Sequence, residues 1–214
     1  MGTHGRCGLR PCAHERGVSD AIAANPWQTD TCIGQWHYKR GQQYKTDKKV
    51  IDLLADIVSK NGNLLLNFPL PNSGELDYEE RVVLDEITAW MAVNSEGIYA
   101  TRPWKIYGEG PSTKVVIKAG NFNEDKQKDL TAEDVRFTTK GNTLYAFVMG
   151  WPEKEAVVKA LGLASPQNPG KIRSVELVGH KGELKWKQDE SGLKVEMPVE
   201  KISDVGITLK VESA

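Results

Sequence analysis

Cysteine and histidine side chains of the kind that bind metal ions cluster at the start of this 214-residue chain. They are His4, Cys7, Cys12 and His14, and a structural zinc ion would need four such ligands in tetrahedral geometry. Their spacing matches no common zinc pattern, and no second cluster follows in the sequence. A zinc site is therefore not predicted. Residues 1–14 have no periodic pattern and are predicted to be a leader or a cloning-derived segment.

Three other residues with side chains that could take part in catalysis occur singly in the sequence. Cys32 brings the cysteine count to 3, all within the first 32 residues, so no disulfide framework can hold the rest of the chain. His37 has no visible partner, and a hydrogen-bonded or solvated histidine is the commoner case. From its context alone, Glu15 is predicted to be a solvated loop residue, because glutamate is mostly exposed. Residue type by itself therefore assigns no catalytic group.

Composition excludes two classes of partner. The formal net charge is −1 at pH 7, and the Lys and Arg residues are spread along the chain, so no basic surface for nucleic acid is predicted. No apolar run approaches the roughly 18 residues that span a bilayer, and no signal peptide is visible at the start. With 39% hydrophobic residues the chain can bury a core. We expect a globular protein of one or two domains.

A helix, a strand and a second helix are predicted within residues 47–94. The first helix has apolar residues at helical spacing and follows the N-cap candidates Thr46 and Asp47. Residues 63–68 form a short apolar run, which is typical of a parallel strand buried on both faces. A second helix is predicted at about 78–94. This order of elements indicates an α/β fold.

Beyond Trp104 the apolar spacing changes to every second residue, which indicates antiparallel strands. Six to eight short strands at this spacing are typical of a β-sandwich. The predicted strands include 115–117, 135–138 and 144–148, with a hairpin at Gly141-Asn142, and the predicted pairs are 175–178 with 184–187 and 193–197 with 207–211.

The predicted parallel strand has too few neighbours for a stable sheet. A parallel strand needs strands on both sides, and residues 47–94 supply none. A (β/α)₈ barrel of roughly 250 residues would supply them. The fold class is therefore predicted to be α/β followed by all-β, with units at 15–104 and 105–214.

Four motifs occur in a fixed order between residues 15 and 110. They are PWQT at 26–29 with IGQWHY at 33–38, DIVSKNGNLLLN at 56–67, Gly74, and NSEGIYATRPW at 94–104 after Trp90. This series resembles the end of the catalytic domain of α-L-fucosidases of glycoside hydrolase family 29. The resemblance implies that 15–104 is the C-terminal part of a catalytic (β/α)₈ barrel and that 105–214 is the C-terminal β-sandwich.

The resemblance also implies a reaction. The family hydrolyses terminal α-L-fucosides with retention, through an Asp nucleophile and a Glu or Asp general acid/base, and it implies no metal or organic cofactor. In such enzymes the nucleophile lies well upstream of the Pro26-Trp27 pair, so we expect this chain to be truncated and to lack it. Catalysis is then either absent or recovered by assembly with other chains.

The resemblance assigns five site residues. Glu15, in Glu15-Arg16-Gly17, is the best match for the acid/base that precedes the Pro-Trp pair in similar bacterial members. Trp27, Trp36 and Tyr38 are candidates for packing on the sugar ring, with core packing as the stronger alternative for Trp27. Asn67 closes the predicted buried strand, at the end where barrel active sites gather, and its alternative role is to cap the following turn.

The implied ligands are fucosylated glycans or L-fucose. A lone barrel fragment leaves a strand edge open, and open edges pair with other chains, so we expect a homo-oligomer. The competing hypothesis is a non-catalytic carbohydrate-binding or structural β-sandwich with a helical extension. Similar enzymes often act outside the cytoplasm, and nothing else in the sequence addresses location.

Overall fold

A computed structural model describes residues 12–213 of the chain. Most of its strands lie in antiparallel sheets, and it has two α-helices among the described residues. The elements in chain order are β1 (Cys12–Glu15), β2 (Trp27–Cys32), α1 (Asp47–Ser59), β3 (Gly62–Asn67), α2 (Tyr78–Asn94), β4 (Arg102–Glu109), β5 (Val135–Lys140), β6 (Thr143–Val148), β7 (Glu155–Val158), β8 (Ile172–Leu177), β9 (Trp186–Asp189), β10 (Gly192–Glu196) and β11 (Ile207–Ser213).

The N-terminal half is built on a parallel sheet with the strand order β1-β2-β3. Its register places Glu15 opposite Asp30, and Asp30 opposite Leu65. β1 was not predicted: residues 12–14 belong to a strand, so the predicted leader is wrong at its end, and residues 1–11 lie outside the described residues. A segment of only 11 residues, 16–26, joins β1 to β2, and it contains no helix.

Both predicted helices are confirmed. The Thr46 side chain caps α1 by accepting from the Lys49 amide, and Asn61 ends the turn after it in the left-handed region, at φ 70°. Asp77 and Glu80 form a reciprocal capping box at the start of α2. Neither helix of the described residues has the length and apolar character to cross a membrane.

One face of β3 is open among the described residues, so the prediction of a strand buried on both faces is wrong. Leu64 and Leu66 point towards α1 and α2 and join the cores there. Leu65, on the other face, is 55% exposed. The helices cover only one side of this sheet, because both lie on the side of Leu64 and Leu66.

The C-terminal half consists of two antiparallel sheets around a shared apolar core. The larger sheet has the order β4-β5-β6-β11-β8 and the smaller one β7-β10-β9. Phe137 and Leu209 from the larger sheet and Val158 and Leu193 from the smaller one are all fully buried in that core. The arrangement is that of a small sandwich.

The predicted hairpin at Gly141-Asn142 is confirmed, since β5 pairs with β6 there, but the other two predicted strand pairs in this half are wrong. β8 pairs with β11 rather than with β9, and β10 lies between β7 and β9. β8 and β9 follow one another in sequence but lie in different sheets, and so do β10 and β11. A local turn pattern does not reveal such a change of sheet. Residues 115–117 form no strand, and Val116 is 77% exposed.

A buried ion-pair cluster joins the two halves. Asp56 on α1 is 1% exposed, and it accepts from Arg136 Nε on β5 at 2.8 Å and from Lys60 Nζ at 2.7 Å. Burial alone would raise the pKa of the Asp56 carboxyl, but the charges of Arg136 and Lys60 outweigh it and hold that pKa below its ordinary value. Both cations also lie over the Tyr107 ring of β4. We name Asp56, Lys60 and Arg136 the junction cluster.

Candidate active site

Two carboxylate side chains lie side by side near the carboxyl ends of β1 and β2. Glu15 is the last residue of β1, and its register partner is Asp30. Thr29 and Thr31 are each 1% exposed on the side of α1, so the alternation of β2 places Asp30 on the opposite face. Register partners in a parallel pair share a face, which puts Glu15 there too. Both residues are half-buried, and together they make this face acidic near the carboxyl ends of the strands.

Asp30 is a functional candidate that sequence reasoning missed. The signal was present in the alternation of β2, where Trp27 and Thr29 are buried and Gln28 is exposed. It could be interpreted only once residues 27–32 were known to form a strand parallel to β1.

Trp27 lies on the other face of the sheet from Glu15. It is 2% exposed and packs with Leu53 and Ile57 of α1, and its indole N–H donates to the Lys60 carbonyl at 2.9 Å. The His14 ring meets it edge-on at 5.3 Å between centroids. In this position Trp27 packs as a core residue, with no free ring face for a sugar among the described residues.

The loop of residues 33–46, between β2 and α1, carries two of the candidate aromatic residues. It leaves β2 at the carboxyl end, the same edge of the sheet on which Glu15 lies. Trp36 is 36% exposed, His37 is exposed and Tyr38 is half-buried. Both aromatic rings therefore remain accessible at the edge that bears the carboxylates.

Asn67 ends β3 at the same edge and carries an unpaired polar atom. Its Nδ2 is buried, and among the described residues it has no hydrogen-bond acceptor. In the turn that follows, the Gly74 amide donates to the Pro71 carbonyl at 2.9 Å, and the alternative role of Asn67 as a cap stays a prediction. A buried donor without an acceptor costs free energy.

Glu124, from the connection between β4 and β5, is buried behind β1 and β2. It is 2% exposed, and its Oε1 accepts from Arg16 Nε at 2.8 Å and from Thr31 Oγ1 at 2.9 Å. Lys45 Nζ lies 3.0 Å from the same oxygen. Burial alone would raise the pKa of the Glu124 carboxyl, but these donors outweigh it, so the pKa lies below its ordinary value.

This carboxylate should make stability depend on pH in the acid range. A pKa that is lower in the folded state adds stability above the unfolded value of about 4.3 and loses it as pH falls through the folded value. Glu124→Gln should therefore be less stable than the wild type by about 1.5–3 kcal/mol near neutral pH. The difference should shrink well below pH ~4.

Urea unfolding of the wild type and of Glu124→Gln, at near-neutral and at acid pH, measures the difference in their free energies of unfolding. Asp125→Asn is the control, since the Asp125 side chain is 78% exposed and lies 4.0 Å from Arg16. A Glu124→Gln deficit of equal size at both pH values would contradict the expectation.

No metal centre is formed by the described residues. Within residues 12–213, no three His, Cys, Asp or Glu side chains are grouped so as to hold an ion. Two residues of the N-terminal metal pattern, His4 and Cys7, lie outside the described residues.

Comparison with known proteins places these features in a family. The model of a family described as "Alpha-L-fucosidase" matches residues 3–96, and that of the "Alpha-L-fucosidase C-terminal domain" matches residues 127–212. The tissue alpha-L-fucosidase of Homo sapiens is 28% identical over 186 residues, which are 83% of this chain and 34% of the relative. The chain thus spans about a third of the length of the curated relatives it matches.

Solved structures agree at the level of the fold. Alpha-L-fucosidase isoenzyme 1 from Paenibacillus thiaminolyticus has a TM-score of 0.71 at 23% identity, over 94% of this chain and 44% of that chain. The Thermotoga maritima alpha-fucosidase in complex with fucose has a TM-score of 0.66 at 22% identity, over 90% of this chain and 41% of that chain. With both of its halves matched in order by the family's own domain descriptions, the chain belongs to the α-L-fucosidase family.

Proposed function

We propose that this chain forms part of a retaining exo-α-L-fucosidase and that Glu15 is its general acid/base. The observation that carries the proposal is the placement of Glu15 beside Asp30, on one face at the carboxyl edge of the parallel sheet. In a barrel enzyme the reacting groups gather at that edge. A carboxylic acid there can protonate the departing glycosidic oxygen and later activate a water.

The remaining site residues take supporting roles in this proposal. Trp36 and Tyr38 offer ring faces to the apolar side of the fucose ring. Asp30 accepts from sugar hydroxyls, and Asn67 takes part in substrate binding at the same edge, at the end of β3. Trp27 supports the sheet from behind. The nucleophile is supplied by residues that the relatives carry in the two thirds of their length that this chain does not match.

The parallel sheet is, in this proposal, the C-terminal fragment of a (β/α)₈ barrel. Residues 15–104 are assigned to it and 105–214 to the sandwich. β3 is an edge strand of the described sheet, and its Leu65 side chain is exposed on the open face. The unpaired backbone groups of such an edge can pair with a further strand, so we propose that the chain self-associates or assembles with the rest of a barrel.

Release of nitrophenol from an aryl α-L-fucoside tests the function. The purified chain is assayed alone and mixed with a polypeptide that carries the remaining barrel strands, and hydrolysis with retention is expected in the mixture. Binding of L-fucose without turnover in both preparations would favour the non-catalytic alternative. If the mixture shows no binding of L-fucose and no turnover, the proposal is overturned.

A further inference from the structure

The long connection between β4 and β5 returns to the parallel sheet and holds the backbone of Glu15. The Glu15 amide donates to Asn121 Oδ1 at 3.1 Å, and the Glu15 carbonyl accepts from the Phe122 amide at 2.8 Å. These groups face away from β2, because it is the next amide, that of Arg16, that donates to the Asp30 carbonyl. Residues 121 and 122 thus occupy the outer edge of β1 at its last residue.

The residue after Glu15 is held in an uncommon conformation by the same segment. Arg16 has φ 47°, in the left-handed region that non-glycine residues rarely adopt. Its carbonyl accepts from the amides of Asn123 and Glu124, each at 3.1 Å, and its guanidinium is paired with Glu124. Phe122 also has a positive φ, of 53°. Strained backbone of this kind persists only where its surroundings fix it, and it clusters at functional sites.

Two further contacts make the fit between the segments close. The Val18 amide donates to Asn123 Oδ1 at 2.7 Å. A Cβ added to Gly17 would lie 2.1 Å from the Gly120 carbonyl oxygen, so a side chain at this position would force the segments apart. We name residues 120–124 the clamp segment.

The clamp segment is not part of either family match. The first match ends at residue 96 and the second begins at residue 127. The contacts described here are therefore a property of this chain that its family assignment does not supply.

We propose that the clamp segment positions Glu15 for proton transfer, a role that rests on the proposed acid/base function. It binds the amide and the carbonyl of Glu15 and fixes the turn that follows, which together set the direction in which the Glu15 side chain leaves the sheet. A retaining site needs its two carboxyl groups about 5–5.5 Å apart. Small displacements of the backbone at Glu15 therefore act directly on the catalytic step.

Asn121→Ala tests the proposal, because it removes the acceptor of the Glu15 amide at an exposed position where folding should be unaffected. Amide hydrogen exchange of the chain, followed by NMR, should show Glu15 exchanging roughly fivefold faster, with the β2 and β3 amides unchanged. In the preparation that hydrolyses the aryl fucoside, kcat should fall while KM is retained, and the alkaline limb of the kcat–pH profile should shift. Asn121→Asp, which keeps an acceptor oxygen, should restore the slow exchange of the Glu15 amide and the wild-type kcat.

Asp125→Ala is the control, since it lies next to the clamp segment and its exposed side chain makes no contact closer than 4.0 Å to Arg16. Gly17→Ala is a second variant, which separates the segments by steric conflict and should reproduce the kcat loss. Glu15 exchange and a pH profile in Asn121→Ala that equal those of Asp125→Ala would overturn the positioning role. Glu15→Gln hydrolysis of a fucoside with a poor leaving group at the wild-type rate would instead overturn the acid/base assignment, while the exchange data would still report whether the backbone is held.

Discussion

Replacing Glu15 with glutamine is expected to lower hydrolysis of fucosides with poor leaving groups by about 10²–10⁴-fold. Glutamine keeps the size of the side chain but cannot donate a proton to the departing oxygen. Leaving groups that depart readily as anions need little protonation, so the loss on a strongly activated aryl fucoside should be much smaller for the first step. KM should change little, because the substitution removes an interaction that matters mainly in the transition state.

The comparison is made on two aryl α-L-fucosides of different leaving-group acidity, in the preparation that shows turnover. Glu153→Gln is the matched control, because Glu153 is an exposed loop residue in the half of the chain without the parallel sheet. An equal loss of kcat/KM, which reports the step in which the leaving group departs, on both substrates would contradict acid catalysis by Glu15. A larger and leaving-group-dependent loss in Asp30→Asn would move the assignment to the neighbouring strand.

Replacing Asp56 with alanine is expected to cost about 3–5 kcal/mol of the free energy of unfolding. The change leaves Arg136 and Lys60 buried without their counter-ion, while Arg136 keeps only its hydrogen bonds to the Val135 carbonyl and to Ser112. Because α1 belongs to the first half and β5 to the second, the substitution removes an ion pair that connects the two halves. We expect the two halves to lose their shared unfolding transition.

Urea unfolding followed by both tryptophan fluorescence and circular dichroism measures this effect. Arg173→Ala is the control, since the Arg173–Glu212 pair has side chains 67% and 34% exposed and should contribute at most about 1 kcal/mol. An Asp56→Ala loss no larger than that of Arg173→Ala would show that the junction cluster does not join the halves.

Much of the N-terminal half could be predicted from sequence because its signals are local. The apolar spacing of α1, its cap at Thr46, and the short run before Asn67 each lie within a few residues. β1 could not be predicted in this way. It has four residues, it follows a stretch without periodicity, and its place is set by pairing with β2.

The sandwich and the surroundings of Glu15 depend on contacts between distant parts of the chain. β11 pairs with β6, more than 50 residues earlier, and no turn pattern encodes that choice. Glu124 lies 108 residues from Arg16, and in sequence it looks like one more charge in an exposed polar stretch. Its burial follows only from the return of the connection between β4 and β5 to the parallel sheet.

That return has a consequence for inheritance. Exchanging the C-terminal half of this chain for that of a relative would also replace residues 120–124, which bind the backbone of Glu15. With Glu15 in the role proposed for it, we expect selection on that residue to act also on codons more than 100 positions away. Sequence change in what looks like a variable surface connection is constrained by chemistry at the other end of the chain.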